Sequence, residues 1–98
     1  MGIERGVTEA ADLFKALSSA SRLSITRYLS AAPATVSDLV ARTGQSQPLV
    51  SQHLRILRTA GVVVVTRTGR EATYALADQH VAHVIDDAIV HALENFPE

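Results

Sequence analysis

Residues 35–61 read Thr35-Val-Ser-Asp38-Leu-Val-Ala-Arg-Thr-Gly44-Gln-Ser46-Gln-Pro48-Leu-Val-Ser-Gln-His-Leu-Arg-Ile-Leu-Arg-Thr-Ala-Gly61. Two helices and the turn between them are written into this stretch. Thr35, with Asp38 three residues on, has the form of a capping box, in which each side chain takes up the other residue's otherwise unbonded backbone N–H. Val36, Leu39 and Val40 then face inward at helical spacing, and Gly44 ends the helix, because glycine adopts the left-handed conformation of a C-cap without strain. Ser46 caps a longer helix with Pro48 in its first turn, where a missing N–H costs little. That helix runs to about Ala60 and stops at Gly61. Val50, Leu54 and Leu57 form its inward stripe. Gln47, Ser51, Arg55 and Arg58 form the outward one, with Gln52 beside it. A short helix, a glycine-containing turn and a longer helix make a helix-turn-helix.

The chain on either side fits around this unit. Downstream, Val62 to Val65 is a β-branched run, Thr68-Gly69 has turn character, and residues 71–76 alternate in part, which predicts a β-hairpin. A hairpin directly after a recognition helix is a wing, and Arg67 and Arg70 flank its tip. One side of the valine run is expected to be buried. Upstream, the spacing predicts a helix from Thr8, acting as its cap, to about Ser18, with residues 1–7 frayed. In it Val7, Ala10, Ala11, Phe14 and Leu17 share one side. Ser18, Ser19 and Ser21 mark a break. A second helix over about 20–30 carries Leu23, Ile25, Tyr28 and Leu29 inward and ends before Pro33. The predicted fold is mainly α with a small β-hairpin, in the order α-α-α-α-β-β-α: one winged helix-turn-helix domain over 1–98. The first and last helices keep apolar faces that the core does not use, so a homodimer through them is expected.

The 98 residues suit a single domain, and 47% of them are apolar, enough for a modest core. No apolar run is long enough for a membrane span and no apolar leader opens the chain, so a cytoplasmic protein is the expectation. The absence of cysteine excludes disulfides and thiolate metal ligands. The formal net charge of −1 hides a segregation. Between Asp38 and Glu71 lie Arg42, Arg55, Arg58, Arg67 and Arg70 with no acidic residue; from Glu71 onward there are acidic residues and no Lys or Arg. The middle suits a polyanion and the tail a cation. On the longer helix of the pair, Ser46, Gln47, Ser51 and Gln52 are the candidates for base contacts, since recognition helices read with their N-terminal part and glutamine offers a bidentate donor and acceptor. Arg55 and Arg58, with Arg67 and Arg70 of the wing, are the candidates for backbone phosphate.

Residues 78–94 contain neither Gly nor Pro and predict a last helix. At about 100° per residue, His80, His83, Asp87, His91 and Glu94 fall within roughly an 80° sector, with Asp78 outside it at the helix start. Val81, Ile85, Ala88, Ile89, Ala92 and Phe96 occupy much of the rest. His80 and His91 sit about 16 Å apart at about 1.5 Å per residue, too far to share an ion on one straight helix. An antiparallel copy removes the difficulty. The pairs 80/91 and 78/94 share a midpoint near residues 85–86, so a two-fold axis there places Asp78 and His80 of one chain beside His91 and Glu94 of the other. Symmetry then gives a pair of sites per dimer. Two imidazoles and two carboxylates suit four-coordinate zinc.

These features together resemble the metal-sensing repressors of the ArsR/SmtB family, from about Thr8 to Glu94. The matching pieces are Leu17-Ser18-Ser19-Ala20-Ser21-Arg22-Leu23, Val50-Ser51-Gln52-His53-Leu54-Arg55-Ile56-Leu57, and Gly69-Arg70 with Tyr74-Ala75-Leu76. Asp78-x-His80, ten residues, then His91-x-x-Glu94 is the spacing of that family's zinc-sensing site. The resemblance implies a dimeric repressor of palindromic operator DNA, released when zinc binds Asp78, His80, His91 and Glu94. It also implies that His91 uses its second ring nitrogen to reach backbone near Gly61. The family's cysteine site on the third helix has no counterpart at Val36-Ser37-Asp38-Leu39-Val40. His83 and Asp87 remain unassigned; as ligands they would admit cobalt or nickel. The alternatives are a nickel or cobalt sensor on the same helix, or a winged-helix regulator without metal input. A zinc hydrolase is disfavoured: no His-Glu-x-x-His occurs, and four protein ligands leave no open position for water.

Overall fold

A computed structural model describes residues 2–96. The elements are α1 (Gly2–Leu17), α2 (Ala20–Ala31), β1 (Ala34–Thr35), α3 (Val36–Thr43), α4 (Gln47–Thr59), β2 (Val63–Thr68), β3 (Glu71–Leu76) and α5 (Gln79–Asn95). The capping box at α3 forms as its sequence requires: Asp38 N donates to Thr35 Oγ1 at 3.1 Å, and Thr35 N donates to Asp38 Oδ2 at 3.1 Å. Gly44 closes α3 in the left-handed region at φ 71°. Ser46 caps α4 by accepting from Leu49 N, with Pro48 in the first turn. Ser19 caps α2, and Asp78 caps α5.

The sheet is antiparallel in the order β1-β3-β2. Thr68 pairs with Glu71, which leaves Gly69 and Arg70 as a two-residue loop. Gly69 has φ 62° and, among the described residues, no non-glycine residue has positive φ, the sign pattern of a type II′ hairpin turn. Strand β1 was not foreseen. It has only Ala34 and Thr35, paired with Tyr74 and Thr73, and two residues carry no periodicity.

Helix α1 corrects an expectation. It starts at Gly2, so residues 2–7 are helical rather than frayed, while Met1 lies outside the described residues. Thr8 is not a cap but an interior residue, and its hydroxyl donates back to the Glu4 carbonyl at 3.2 Å, the usual outlet for threonine within a helix. An exposed Arg5–Glu9 pair at 3.1 Å bridges one turn of the same stretch.

The core gathers Ile25 and Leu29 of α2, Leu39 of α3, Val50, Leu54 and Leu57 of α4, Val62 and Val63, and Val81 and Ile85 of α5. Of the valine run, Val62 and Val63 are buried while Val64 turns outward at 47 % exposure. Outside the core, Ile3, Val7 and Phe14 of α1 and Val84, Val90 and Leu93 of α5 stay exposed in the protomer. A run of large apolar side chains on two helices is the mark of a surface built to be covered.

The capping box gives a simple test. Hydrogen bonding to the backbone and side chain of Thr35, with a smaller contribution from the Arg42 charge, holds the Asp38 carboxyl below its ordinary value of 3.8. A carboxyl with a depressed folded-state value stabilises the fold above its unfolded value, and that contribution is lost as pH falls through the lowered one. Thr35→Ala is expected to cost about 1 kcal/mol at neutral pH. Chemical denaturation at pH 7 checks it; for Asp38→Ala, which removes the titrating carboxylate, the gap to wild type should narrow near pH 3, where the wild-type carboxylate is itself being protonated.

Candidate nucleic-acid interface and metal-ligand helix

The outward face of α4 and the wing tip carry four arginines, with Glu71 beside the wing tip and Asp12 across a hollow from Arg55. Gln47, Gln52, Arg55 and Arg58 are exposed on α4, and Ser51 is half-buried between them. Gln47 Nε2 donates to Ser51 Oγ at 3.2 Å, which orients the amide along the helix. Ser46 is exposed, but its Oγ already accepts from Leu49 N at 3.3 Å, leaving its hydroxyl proton free to donate. Arg67 lies opposite Ala72 on β2, and Arg70 occupies the loop; both are exposed. Among the described residues the one ion pair within 4.0 Å is Arg5–Glu9, so none of these arginines is neutralised by a carboxylate.

A second set of contacts, which no spacing in the sequence announces, fixes α4 against the rest of the domain. Arg22 Nε donates to the Ala16 carbonyl at the end of α1, at 2.5 Å. Its Nη1 lies 3.5 Å from His53 Nδ1 on α4. One guanidinium thus links α1 to the recognition helix. Burial, and then the Arg22 charge, push the His53 imidazolium below its ordinary value of 6.5, favouring the neutral ring that can accept from Arg22. The only signal in the sequence was an arginine three residues after the cap Ser19.

Helix α5 presents the ligand stripe. His80, His83, Asp87, His91 and Glu94 are all exposed, on the side away from buried Val81 and Ile85. Asp78 uses Oδ1 to accept from Val81 N at 2.9 Å, which places its carboxylate at the head of the helix and leaves its second oxygen uncommitted. His91 is engaged by Asn95, whose Nδ2 donates to the His91 carbonyl at 2.9 Å and lies 3.3 Å from His91 Nδ1. Among the described residues no three His, Asp or Glu side chains of one protomer converge closely enough for an ion. His80 and His91 are too far apart along α5, about 16 Å at about 1.5 Å per residue, to share one ion within a protomer. The donor set suits a divalent metal: imidazoles and carboxylates, solvent-facing, none tied up in an ion pair. No helix is long and apolar enough to cross a membrane, among the described residues.

A recognition helix held by a short first helix, followed by a hairpin with a basic tip, is a winged helix-turn-helix DNA-binding domain. Residues 19–65 match the family described as "Bacterial regulatory protein, arsR family". The chain is 46% identical over 86 residues to the HTH-type transcriptional repressor SmtB of Mycobacterium tuberculosis, covering 88% of this chain and 64% of that protein. It is 41% identical over 88 residues to the HTH-type transcriptional regulator NmtR of the same species, covering 90% of this chain and 73% of that one. Its fold matches a homodimeric winged helix-turn-helix DNA-binding domain from Mycobacterium bovis with a TM-score of 0.87 at 27% identity, covering 95% of this chain and 86% of that one. The chain belongs to the ArsR family. It spans 64% of the length of the repressor SmtB that it matches. These relatives are transcriptional regulators rather than enzymes.

Proposed function

We propose that this chain is a metal-responsive transcriptional repressor that binds palindromic operator DNA as a homodimer and releases it when zinc occupies an inter-subunit site. The observation that carries the reading is the coexistence of two surfaces. One is the basic face of α4 and the wing, whose arginines make no ion pair, the other the exposed stripe of metal-ligating side chains on α5. The likeness to SmtB, a transcriptional repressor, supports the first half.

The dimer forms through the exposed apolar residues of α1 and α5, burying Ile3, Val7, Phe14, Val84 and Leu93. Two α4 helices then enter successive major grooves about one helical turn apart. Gln47, Ser51 and Gln52 meet base edges, with Ser46 donating its hydroxyl proton, while Arg55, Arg58, Arg67 and Arg70 neutralise phosphate. Asp78 and His80 of one subunit, with His91 and Glu94 of the partner subunit, hold the metal. A bound divalent cation supplies coordinate bonds that tie the two subunits at a fixed spacing. His91 needs its second ring nitrogen oriented by an acceptor, and backbone near Gly61 is the acceptor we assign to it, in exchange for Asn95. The metal-bound dimer is thereby held with its α4 helices misplaced for DNA. Coupling is reciprocal: zinc weakens DNA binding by the factor by which DNA weakens zinc binding.

His83 and Asp87 lie on the same exposed stripe and support a second reading, a cobalt or nickel sensor with a larger coordination number. One measurement separates these readings from each other and from a regulator without metal input. DNA affinity of the dimer should fall at least about 5-fold on adding the cognate metal, the lower end of ordinary coupling, with two ions bound per dimer. Zinc, cobalt and nickel are compared in parallel, and equal DNA affinity with all three and with none ends the sensing proposal.

A further inference from the structure

The acid-free segment between Asp38 and Glu71 holds five basic residues, and the DNA surface described above uses four of them. Arg42 is the fifth. It stands in the last turn of α3, immediately before the turn that delivers Ser46 and Gln47.

Arg42 is held at both ends by Tyr28 of α2. Its guanidinium carbon lies 5.6 Å from the centre of the Tyr28 ring. The Tyr28 hydroxyl donates to the Arg42 carbonyl at 3.4 Å. Beside it, Gln45 is fixed in the turn: its Nε2 donates to Ser21 Oγ at 2.8 Å and its backbone N donates to Thr43 Oγ1 at 3.2 Å. Ser21, Tyr28, Arg42, Thr43 and Gln45 line an open hollow of about 230 Å³.

Arg42 is exposed and no carboxylate lies within 4.0 Å of it, among the described residues. Asp38, one turn earlier on α3, is engaged by Thr35 N. Stacking over a ring face consumes none of the guanidinium N–H donors. A cation held by a ring, with its donors unspent, loses less side-chain freedom on binding an anion than a free surface arginine does. In a helix-turn-helix the first helix crosses the nucleic-acid backbone, which puts the end of α3 beside the strand flanking the groove that α4 enters.

We propose that Arg42, positioned by Tyr28, binds a backbone phosphodiester of double-stranded DNA and is a fifth basic contact in each half-site. The proposal rests on the DNA-binding reading above and adds a contact to it. Phosphate contacts are independent of sequence, so an operator is not needed to test it. Wild type, Arg42→Gln, Arg42→Lys and Arg55→Gln are titrated against a random-sequence duplex of about 30 base pairs over a range of salt. Thermal unfolding of each variant checks that the fold is kept.

Losing one phosphate contact per protomer should lower the slope of log affinity against log salt by about 0.9 for each protomer engaged. The advantage of wild type over Arg42→Gln should therefore shrink about 3-fold for each protomer engaged when salt rises fourfold. Arg42→Lys should recover the slope, because it keeps the charge, but not the whole affinity, because it loses the fork and the stacking. An Arg42→Gln slope equal to wild type, with a reduced slope for Arg55→Gln, overturns the proposal and leaves the DNA-binding reading standing. Absence of salt-dependent binding by wild type brings down both.

Discussion

A His91→Ala dimer should bind DNA as wild type does and fail to respond to zinc. The side chain is exposed on the face of α5 opposite buried Val81 and Ile85, so truncating it opens no cavity. Its partner in the protomer is Asn95, one turn on and equally exposed, so little stability is lost with it. The metal affinity is a different matter. Removing a group that merely orients a ligand costs about 10- to 100-fold, so removing a ligand itself should cost more than about 100-fold. Because the proposed sites lie across a two-fold axis, one substitution damages both. Competition against a chelator of known affinity reads the loss, and a DNA titration with excess zinc reads the uncoupling. A variant that still releases DNA at the wild-type zinc concentration would mean that His91 is not a ligand. An Asn95→Ala control separates the ligand from its neighbour, since it should keep the response.

The sequence announces some parts of this molecule and hides others, and the division is physical. Caps are local: Thr35 and Ser46 are chosen by the few residues after them, and each is found where the local pattern puts it, while Asp78, read only as a ligand at the helix start, also caps α5. The inward stripe of α4 is legible for the same reason, because Val50, Leu54 and Leu57 repeat with the period of the helix. Thr8 misled because a threonine beside acidic residues looks like a helix start. Yet a helical threonine can return its hydroxyl to the previous turn, and Arg5–Glu9 continues the helix across it. Strand β1 was invisible because its existence depends on β3, forty residues away in the chain, and not on its own two residues. The link from Ala16 through Arg22 to His53 was hidden likewise: each bond joins different helices, and no spacing rule connects them. The ligand stripe on α5 lies between these cases. Its members are legible as a row on one helix, whereas their assembly into a coordination sphere is a property of two chains.

Leu57→Ala is expected to be the most destabilising of the substitutions considered. Leu57 is 0 % exposed and sits on the inward side of α4 with Val50 and Leu54. Its carbonyl also accepts from Val62 N at 2.9 Å, where the chain leaves α4 for the wing. Truncation removes the transfer free energy of the lost atoms and leaves a void that the surrounding core side chains fill only in part. Leucine-to-alanine changes of this kind cost about 2–5 kcal/mol. A domain of this size has a total stability of about 5–15 kcal/mol, so the variant should unfold more than about 8 °C below wild type. Scans are compared at one protein concentration, since the stability of a dimer depends on it. The neighbouring Arg58→Ala gives the opposite pattern. Arg58 is exposed, so its loss should change stability by less than about 0.5 kcal/mol while weakening DNA binding. If Leu57→Ala melted with wild type, the helix-turn-helix would not be packed through the inward face of α4, and the orientation of Gln47, Ser51 and Arg55 toward DNA would lose its foundation.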